Sequence, residues 1–470
     1  MATVRVFNHH VHTSFYWLAL VDAALFMLAF YASTYLHFYF ELEPAQLGNY
    51  AQELPNRAAI FAVIALICVS ATGLYVPRMR EGASGVMVRT VGGFAVATGV
   101  ITGIFLMLPD SSVWSGVILY AALLSFAANL TSRLAFTNLT DLDQFKSRVL
   151  VYGSGSAAAT ITSSMRRKAD RQGFTIVGFV RVDGEEPRIT NERIINLRQP
   201  LAEYSKQTEI DQIVVALDNK RDTTPTDELF KCRLQGVKVL NLVNFFEREA
   251  GKILVDFASP GWMTLTEDLS SNTASKLSKR WFDIVTSVIL LTATWPLMLV
   301  TAVAIWLEDG IKAPIFFSQE RVGLNGKAVN VLKFRSMGVD AEGDGKARWA
   351  TKNDSRVTKV GSFIRRTRID ELPQIFNVLS GEMAFIGPRP ERPEFVKQLA
   401  QQIPYYHSRH AVKPGITGWA QLCYPYGASE EDARQKLQYD LYYVKNQSLF
   451  LDFMVTFSTV EVVLFGKGAR

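Results

Sequence analysis

The stretch RRTRIDELPQIFNVLSGEMAFIGPRPE, residues 365–391, sets two adjacent acids, Asp370 and Glu371, between Arg365, Arg366 and Arg368 on one side and Arg389, with Arg392 just beyond the stretch, on the other. Read as local structure alone, Asp370 caps a short helix, with Glu371 in its first turn and Pro373 placed before the hydrogen-bond ladder begins. Ile375, Phe376, Val378 and Leu379 then pack inward and Gly381 closes the helix. The arginines become ion-pair partners of the acids. That reading leaves the surplus of positive charge without a use, so the rest of the chain has to decide.

A chain of 470 residues exceeds one ordinary domain. It is 49% hydrophobic and 20% charged, and the apolar surplus is concentrated in the first third, as a membrane domain requires. The net charge of +6 suits anionic lipid or phosphate ligands. No RNA- or DNA-binding signature accompanies it, so nucleic acid is not an expected partner. Cys68, Cys232 and Cys423 are far apart and form no CxxC, which indicates neither a disulfide framework nor a zinc site. The N-terminus lacks the pattern of a cleaved signal peptide; its first apolar run is long enough to remain as an anchor.

Four apolar runs follow one another: Phe15 to Phe40, Ala58 to Val76, Thr90 to Leu108 and Val113 to Phe136. Each is near the roughly 20 residues a helix needs to cross a bilayer. The first loop, Glu41 to Arg57, is acidic, whereas the second carries Arg78, Arg80 and Arg89 against Glu81. Arg133, Lys146 and Arg148 follow the fourth run. Positive loops stay inside, so both ends of the four-helix bundle are expected in the cytoplasm. Asp22 lies in the first run near its cytoplasmic end, shallow enough to reach the interface or pair with a neighbouring helix.

From Ser147 the pattern changes to alternating strands and helices. RVLVYGSGSAAATI reads as strand, glycine turn and helix; TIVGFV and QIVVAL read as buried strands, TPTDELFKCRLQ as a capped helix, and VKVLNLV as a further strand. This is a doubly wound, Rossmann-like layout. Gly153-Ser-Gly155-Ser-Ala157-Ala158 is a partial dinucleotide fingerprint, which is weak by itself. None of the sixteen tyrosines has lysine four residues on, so the Tyr-x-x-x-Lys that an NAD-dependent nucleotide-sugar epimerase or dehydratase needs is absent. The layer is expected to act as scaffold or regulator. A non-catalytic role in polysaccharide assembly for the whole chain is opposed by the intact Asp-Glu pair.

After Ser270 the chain reads KLSKRWFDIVTSVILLTATWPLMLVTAVAIWLEDG, IFFSQERVG, VLKFRSM, NDSRVTKVGSFIRRTRIDELPQ, GEMAFIGPRPE and VKPGITGWAQ. In this order and spacing these blocks resemble the bacterial sugar transferase family, the monotopic polyprenyl-phosphate sugar-1-phosphate transferases. The four apolar runs and the Rossmann-like layer ahead of them are similar to the large members that start exopolysaccharide or O-antigen synthesis. The tail, CYPYGASEEDARQKLQYDLYYVKN through LFGKGAR, is similar to the branch associated with exosortase-type exopolysaccharide loci.

The resemblance implies transfer of a sugar 1-phosphate from a UDP-sugar to undecaprenyl phosphate, releasing UMP, at the cytoplasmic face of the bacterial inner membrane. An acid approaching a pyrophosphate is repelled, and Mg²⁺ with several Arg or Lys side chains must offset that. A carboxylate among arginines also stays ionised as a nucleophile. Carried onto matching positions, Asp370 is the nucleophile that forms an acyl phosphate, and Glu371 is its partner at the metal or the proton. Arg365 and Arg389 align with phosphate-binding arginines, and Gly387-Pro388-Arg389-Pro390 makes a rigid turn at the nucleotide. Lys333, Arg335 and Arg321 are further candidates, with surface ion pairs as the competing reading. A homodimer is implied as well.

The expected layout is a four-helix transmembrane domain (1–140), a Rossmann-like cytoplasmic domain (141–262) and an α/β catalytic domain (263–470). In the last, residues 281–307 enter the membrane and return, bent at Pro296, because a crossing would carry Asp370 to the face opposite Lys146. Lys276, Lys279 and Arg280 are expected to anchor its start among anionic headgroups, and Thr292 or Thr294 to serve carbonyls exposed at the bend. Where the family often has Ser-Pro this chain has Trp295-Pro296. Gly338 to Lys352, rich in Gly and charge, reads as a solvated loop.

Overall fold

The structure, a computed structural model, describes residues 3–6, 9–40, 52–72, 83–105, 107, 111–140, 146–165, 171, 173–189, 193–218, 224–258, 273–310, 313–338, 356–424, 427 and 429–465. They fall into two compact units, Met1–Ala250 and Gly251–Arg470. The loop expected over 338–352 lies, beyond Gly338, outside the described residues.

Among the described residues of the first unit a hairpin, β1 (Thr3–Val6) with β2 (His9–His12), precedes four apolar helices. These are α1 (Thr13–Phe40), α2 (Leu54–Ala71), α3 (Ala83–Phe105) and α4 (Ser111–Thr140), one for each apolar run. Trp17–Phe40 and Gly116–Phe136 are long and apolar enough to cross a membrane; the apolar parts of α2 and α3 are shorter. Phe26, Phe30, Phe61, Phe94 and Val117 share one core, with Phe26 and Phe94 edge to face at 5.4 Å. Leu28, Val63, Ile67, Leu119 and Leu123 are left exposed on outer faces, the pattern of helices that meet lipid and not water. Asp22 is fully buried and accepts hydrogen bonds from Asn129 Nδ2 (3.0 Å), Ser132 Oγ (2.7 Å) and Arg133 (3.2 Å), so it pairs with a neighbouring helix.

The middle layer is a parallel sheet in the order β5-β4-β3-β6-β7. Its strands are β3 (Ser147–Tyr152), β4 (Phe174–Val180), β5 (Ile194–Ile195), β6 (Gln212–Val215) and β7 (Lys238–Asn241). The connecting helices are α5 (Ser156–Ser164), α6 (Leu201–Gln207) and α7 (Thr226–Leu234). The order reverses at β3, where the glycine turn lies, as a doubly wound fold requires. Two local readings change. The strand expected over VKVLNLV stops at Asn241, whose side chain accepts Asn244 N at 2.7 Å and starts helix α8 (Leu242–Ala250). Helix α7 has Pro225 at its N-cap and no side-chain cap; Asp227 and Glu228 in its first turn meet the helix dipole instead.

The second unit is mixed α/β. Its first described residues pack with later ones: Ile253 N donates to Gln438 O, and Trp419 Nε1 to Gly251 O at 2.9 Å. Helix α9 (Thr273–Asp309) is continuous through Pro296. Thr292 and Thr294 donate to Val288 O (2.8 Å) and Leu290 O (2.7 Å), so they serve the turn before the proline. A Thr hydroxyl reaches the carbonyl four residues back, whereas Pro296 frees the carbonyl of Thr292 itself. Of the three expected lipid anchors, Lys276 is exposed. Lys279 is instead held by Asp283 and Asp452, and Arg280 donates to Val378 O and Leu379 O. Buried partners outcompete headgroups for both.

Candidate active site

An antiparallel hairpin, β8 (Phe316–Val322) with β9 (Ala328–Phe334), supplies Lys333. Helix α10 (Lys359–Arg366) leads to the acids; Thr358 Oγ1 caps Gly361 N at 2.9 Å, and Glu308 accepts Lys359 N and Val360 N at 2.8 and 3.0 Å. Arg368 then adopts a left-handed backbone, φ 60°, which turns the chain into a 3₁₀ turn, Ile369–Glu371. A non-glycine residue there is strained, a cost of order 1 kcal/mol or more, and it sits beside the acids.

Asp370 therefore does not cap a helix. Helix α11 (Gln374–Ser380) begins four residues later and ends as expected at Gly381, φ 90°. Ile375 and Val378 face the core, but Phe376 is exposed. Asn377 on the buried face accepts Leu332 N (2.9 Å) and donates to Asn330 O (2.8 Å). That bond pair fixes β9 against α11 and so sets Lys333 beside Glu371.

Both acids are 8% exposed, yet their surroundings differ. One oxygen of Glu371, Oε1, receives Arg389 at 2.7 Å and Lys333 at 3.1 Å, with Arg368 at 3.7 Å. Burial by itself pushes the Glu371 carboxyl up, but Arg389, Lys333 and Arg368 together hold it well below the usual range. Asp370 Oδ1 is buried without a hydrogen-bond partner. Burial first, and the Glu371 charge second, raise the Asp370 carboxyl. The expectation that the arginines keep the nucleophile's pKa low thus describes Glu371; the cations are seated on the neighbour.

Arg389 comes from the turn after β10 (Ala384–Ile386), which pairs in parallel with β11 (Gly415–Thr417). A side chain on Gly387 would lie 2.3 Å from Lys413 O, so the close crossing of the two backbones demands glycine there. Arg321 braces the same turn by donating to Pro390 O at 3.3 Å and pairing with Glu391 at 3.8 Å. Arg409 donates to Arg389 O at 3.0 Å while paired with the buried Asp440 at 2.8 Å. Burial pushes the Asp440 carboxyl up to about 6.

Of the sequence candidates, Asp370, Glu371, Lys333 and Arg389 come together. Arg321 and Pro390 belong to the brace. Arg335 turns to Asp309 at 3.8 Å, an ion pair at the end of α9, and Arg365 on α10 is half-buried and makes no ion pair among the described residues. Arg368, Asn377, Arg409 and Asp440 were not legible as site residues, because their roles rest on a left-handed turn and on contacts distant in sequence. Among the described residues no group of three His, Cys, Asp or Glu side chains is placed to hold a metal. Two carboxylates, one with an unpartnered oxygen, do fit a Mg²⁺ that takes its other ligands from phosphates and water.

The glycine turn of the middle layer is built differently. Gly153 has φ +126°, and a side chain there would lie 2.2 Å from Ala216 O. Glu185 accepts Ser154 N (3.0 Å), Gly155 N (3.2 Å) and Asp218 N (2.8 Å). Asp218 accepts Ser156 N (2.9 Å), Ser156 Oγ (2.8 Å) and Ala157 N (2.7 Å). Partial burial pushes the Asp218 carboxyl up, but these bonds outweigh it and hold the group below its usual range. The donors that cradle a pyrophosphate in a dinucleotide fold are occupied by the chain's own carboxylates.

A family model described as bacterial sugar transferase matches residues 274–466. The chain is 43% identical over 242 residues to a UDP-N-acetylgalactosamine-undecaprenyl-phosphate N-acetylgalactosaminephosphotransferase of Aeromonas hydrophila, covering 52% of this chain and 56% of that protein. It is 30% identical over 443 residues to a UDP-glucose:undecaprenyl-phosphate glucose-1-phosphate transferase of Xanthomonas campestris pv. campestris, covering 90% of each. A protein of the same description from Escherichia coli (strain K12) is 34% identical over 326 residues, 69% of each chain. The alignment thus spans little more than half the Aeromonas protein and nearly all of the Xanthomonas one.

Proposed function

This chain belongs to the bacterial sugar transferase family, and from that premise we propose that it transfers a sugar 1-phosphate from a UDP-sugar to undecaprenyl phosphate. The products are undecaprenyl-diphospho-sugar and UMP, the first membrane step of exopolysaccharide or O-antigen synthesis. The observation that carries the reading is the buried, unpartnered Asp370 Oδ1 beside a carboxylate already neutralised by Lys333 and Arg389.

An Asp370 oxygen attacks the phosphorus that bears the sugar, its bond to the UMP oxygen breaks, and UMP leaves. The lipid phosphate then attacks the same phosphorus and releases Asp370 as a carboxylate. Arg389 and Lys333 hold the non-bridging oxygens while Glu371 keeps both cations in place. Asp370 and Glu371 would hold a Mg²⁺, which would offset the charge of the pyrophosphate. Closure of the glycine turn by Glu185 and Asp218 supports a scaffold role for the middle layer and opposes NAD chemistry there.

The four N-terminal helices would span the inner membrane with both ends in the cytoplasm, and α9 would enter one leaflet and return. Support for the latter lies in its ends, both fastened within one unit: Lys279 and Arg280 to β10 and α11, Glu308 to α10. A straight helix would put those ends about 44 Å apart, enough to cross a hydrocarbon core of roughly 30 Å. One folded unit holding both ends keeps both on one face. Single cysteines at Ser275 and Pro314 in a cysteine-free background should then react only in inverted vesicles; labelling of Pro314→Cys from outside intact cells would overturn the re-entrant reading. A homodimer, which the family resemblance implies, is tested by particle mass in nanodiscs; the mass of a single chain would overturn it. The transfer itself is tested by UMP release across a panel of UDP-sugars with undecaprenyl phosphate and Mg²⁺. No release with any of them would sink the proposal.

A further inference from the structure

The first turns of α9 carry a buried polar network that the proposed chemistry does not use. Asp283, 3% exposed at the start of the helix's long apolar run, accepts Phe385 N at 2.9 Å and Lys279 Nζ at 3.0 Å through the same oxygen. Lys279 Nζ also donates to Ile386 O at 3.2 Å and lies 3.1 Å from Asp452, which is fully buried on α13 (Leu449–Phe465). Tyr443, on α12 (Glu430–Lys445), meets Ile386 O at 3.0 Å and Asp452 at 2.7 Å. All of this converges on Phe385 and Ile386, the last two residues of β10. Gly387, Pro388 and Arg389 follow directly.

Burying two carboxylates and an ammonium is costly, and a helix that needed only to be apolar would do better with Leu at these positions. Asp283 and Lys279 are aimed at backbone atoms of one strand end, Phe385 N and Ile386 O, and Asp452 balances Lys279, so their use is to fix where that strand ends. Trp281, Val285 and Ile289 of the same turns are exposed and apolar. One helix thus presents its outer face to lipid and its inner face to the strand that delivers Arg389.

We propose that Lys279 and Asp283 are positioning residues for Arg389, through which the seat of the apolar helix sets the phosphate-binding turn. The inference rests on the transferase reading for its kinetic consequence, though not for its structural one.

Two measurements test it. Hydrogen exchange of the peptide 384–392 in the full chain should quicken about tenfold in Asp283→Ala, with peptides of the middle layer unchanged. In the second, formation of the sugar-phosphate adduct should slow about 30-fold in Asp283→Ala, but less than about 3-fold when the change is made in Arg389→Gln, because both act through one side chain. Asp283→Asn keeps the acceptor for Phe385 N and should recover most of the rate; it also serves if the alanine variant folds poorly. Unchanged exchange of 384–392, or losses that multiply in the double variant, would overturn the proposal. Wild type that releases no UMP would remove the transferase reading, and the exchange measurement would still decide this one.

Discussion

The two α/β layers of this protein both set paired carboxylates at a place where phosphate could bind, and they treat them in opposite ways. In the middle layer Glu185 and Asp218 take the backbone N–H groups of Ser154 to Ala157, so the cradle is closed with its donors matched. At the acid pair Glu371 takes the cations while Asp370 keeps a buried oxygen without a partner. Matched polar atoms hold a turn in shape. An unmatched one beside neutralised charge is held ready for something that has still to arrive.

The sharpest way to break this contrast is at Asp370. Asp370→Asn should lower transfer by at least about 10³-fold while leaving UDP-sugar binding within a few-fold. Wild type exposed to UDP-sugar alone should gain one sugar-phosphate by intact mass and the variant none; turnover without any trapped adduct would favour direct attack by the lipid. Next in size is Glu371→Gln, expected to cost about 10²-fold, with a pH signature. The attacking group is the carboxylate, and Asp370 is raised by burial and by the Glu371 charge. Activity should therefore fall as pH drops through that raised value. Removing the Glu371 charge while Lys333, Arg368 and Arg389 remain should move this acid limb to lower pH; a shift upward would contradict the assignment. The smallest effect belongs to the middle layer. Asp218→Ala frees donors at the start of α5 and should cost about 1 kcal/mol of stability, as the loss of a helix cap does. Its adduct formation should stay within about 3-fold of wild type. Tight NAD in the purified wild type would erase the contrast.

The four apolar helices were legible because each run is continuous and long, and the parallel layer because glycine turn, strand and helix recur in order. The acid pair and Arg389 were legible through their motif. What misled was locality. Expecting the arginines to keep the nucleophile ionised assumed that charge close in sequence is shared by both acids, while Lys333 arrives from β9 and it and Arg389 both choose Glu371. Lys279 and Arg280 looked like headgroup anchors because the sequence does not show the carboxylates and carbonyls waiting for them across the fold.

By itself the sequence determined where the apolar helices and most of the parallel strands lie and which residue types carry the chemistry, since periodicity, hydropathy and motif spacing are local properties. The tertiary structure alone decided which of the two acids is neutralised, that the dinucleotide-like cradle is filled from within, and that a buried Asp on the apolar helix holds the end of β10. Each of these depends on which polar atoms from distant segments come within about 3 Å of one another in a dry interior, where a matched charge is held firmly and an unmatched one stands out.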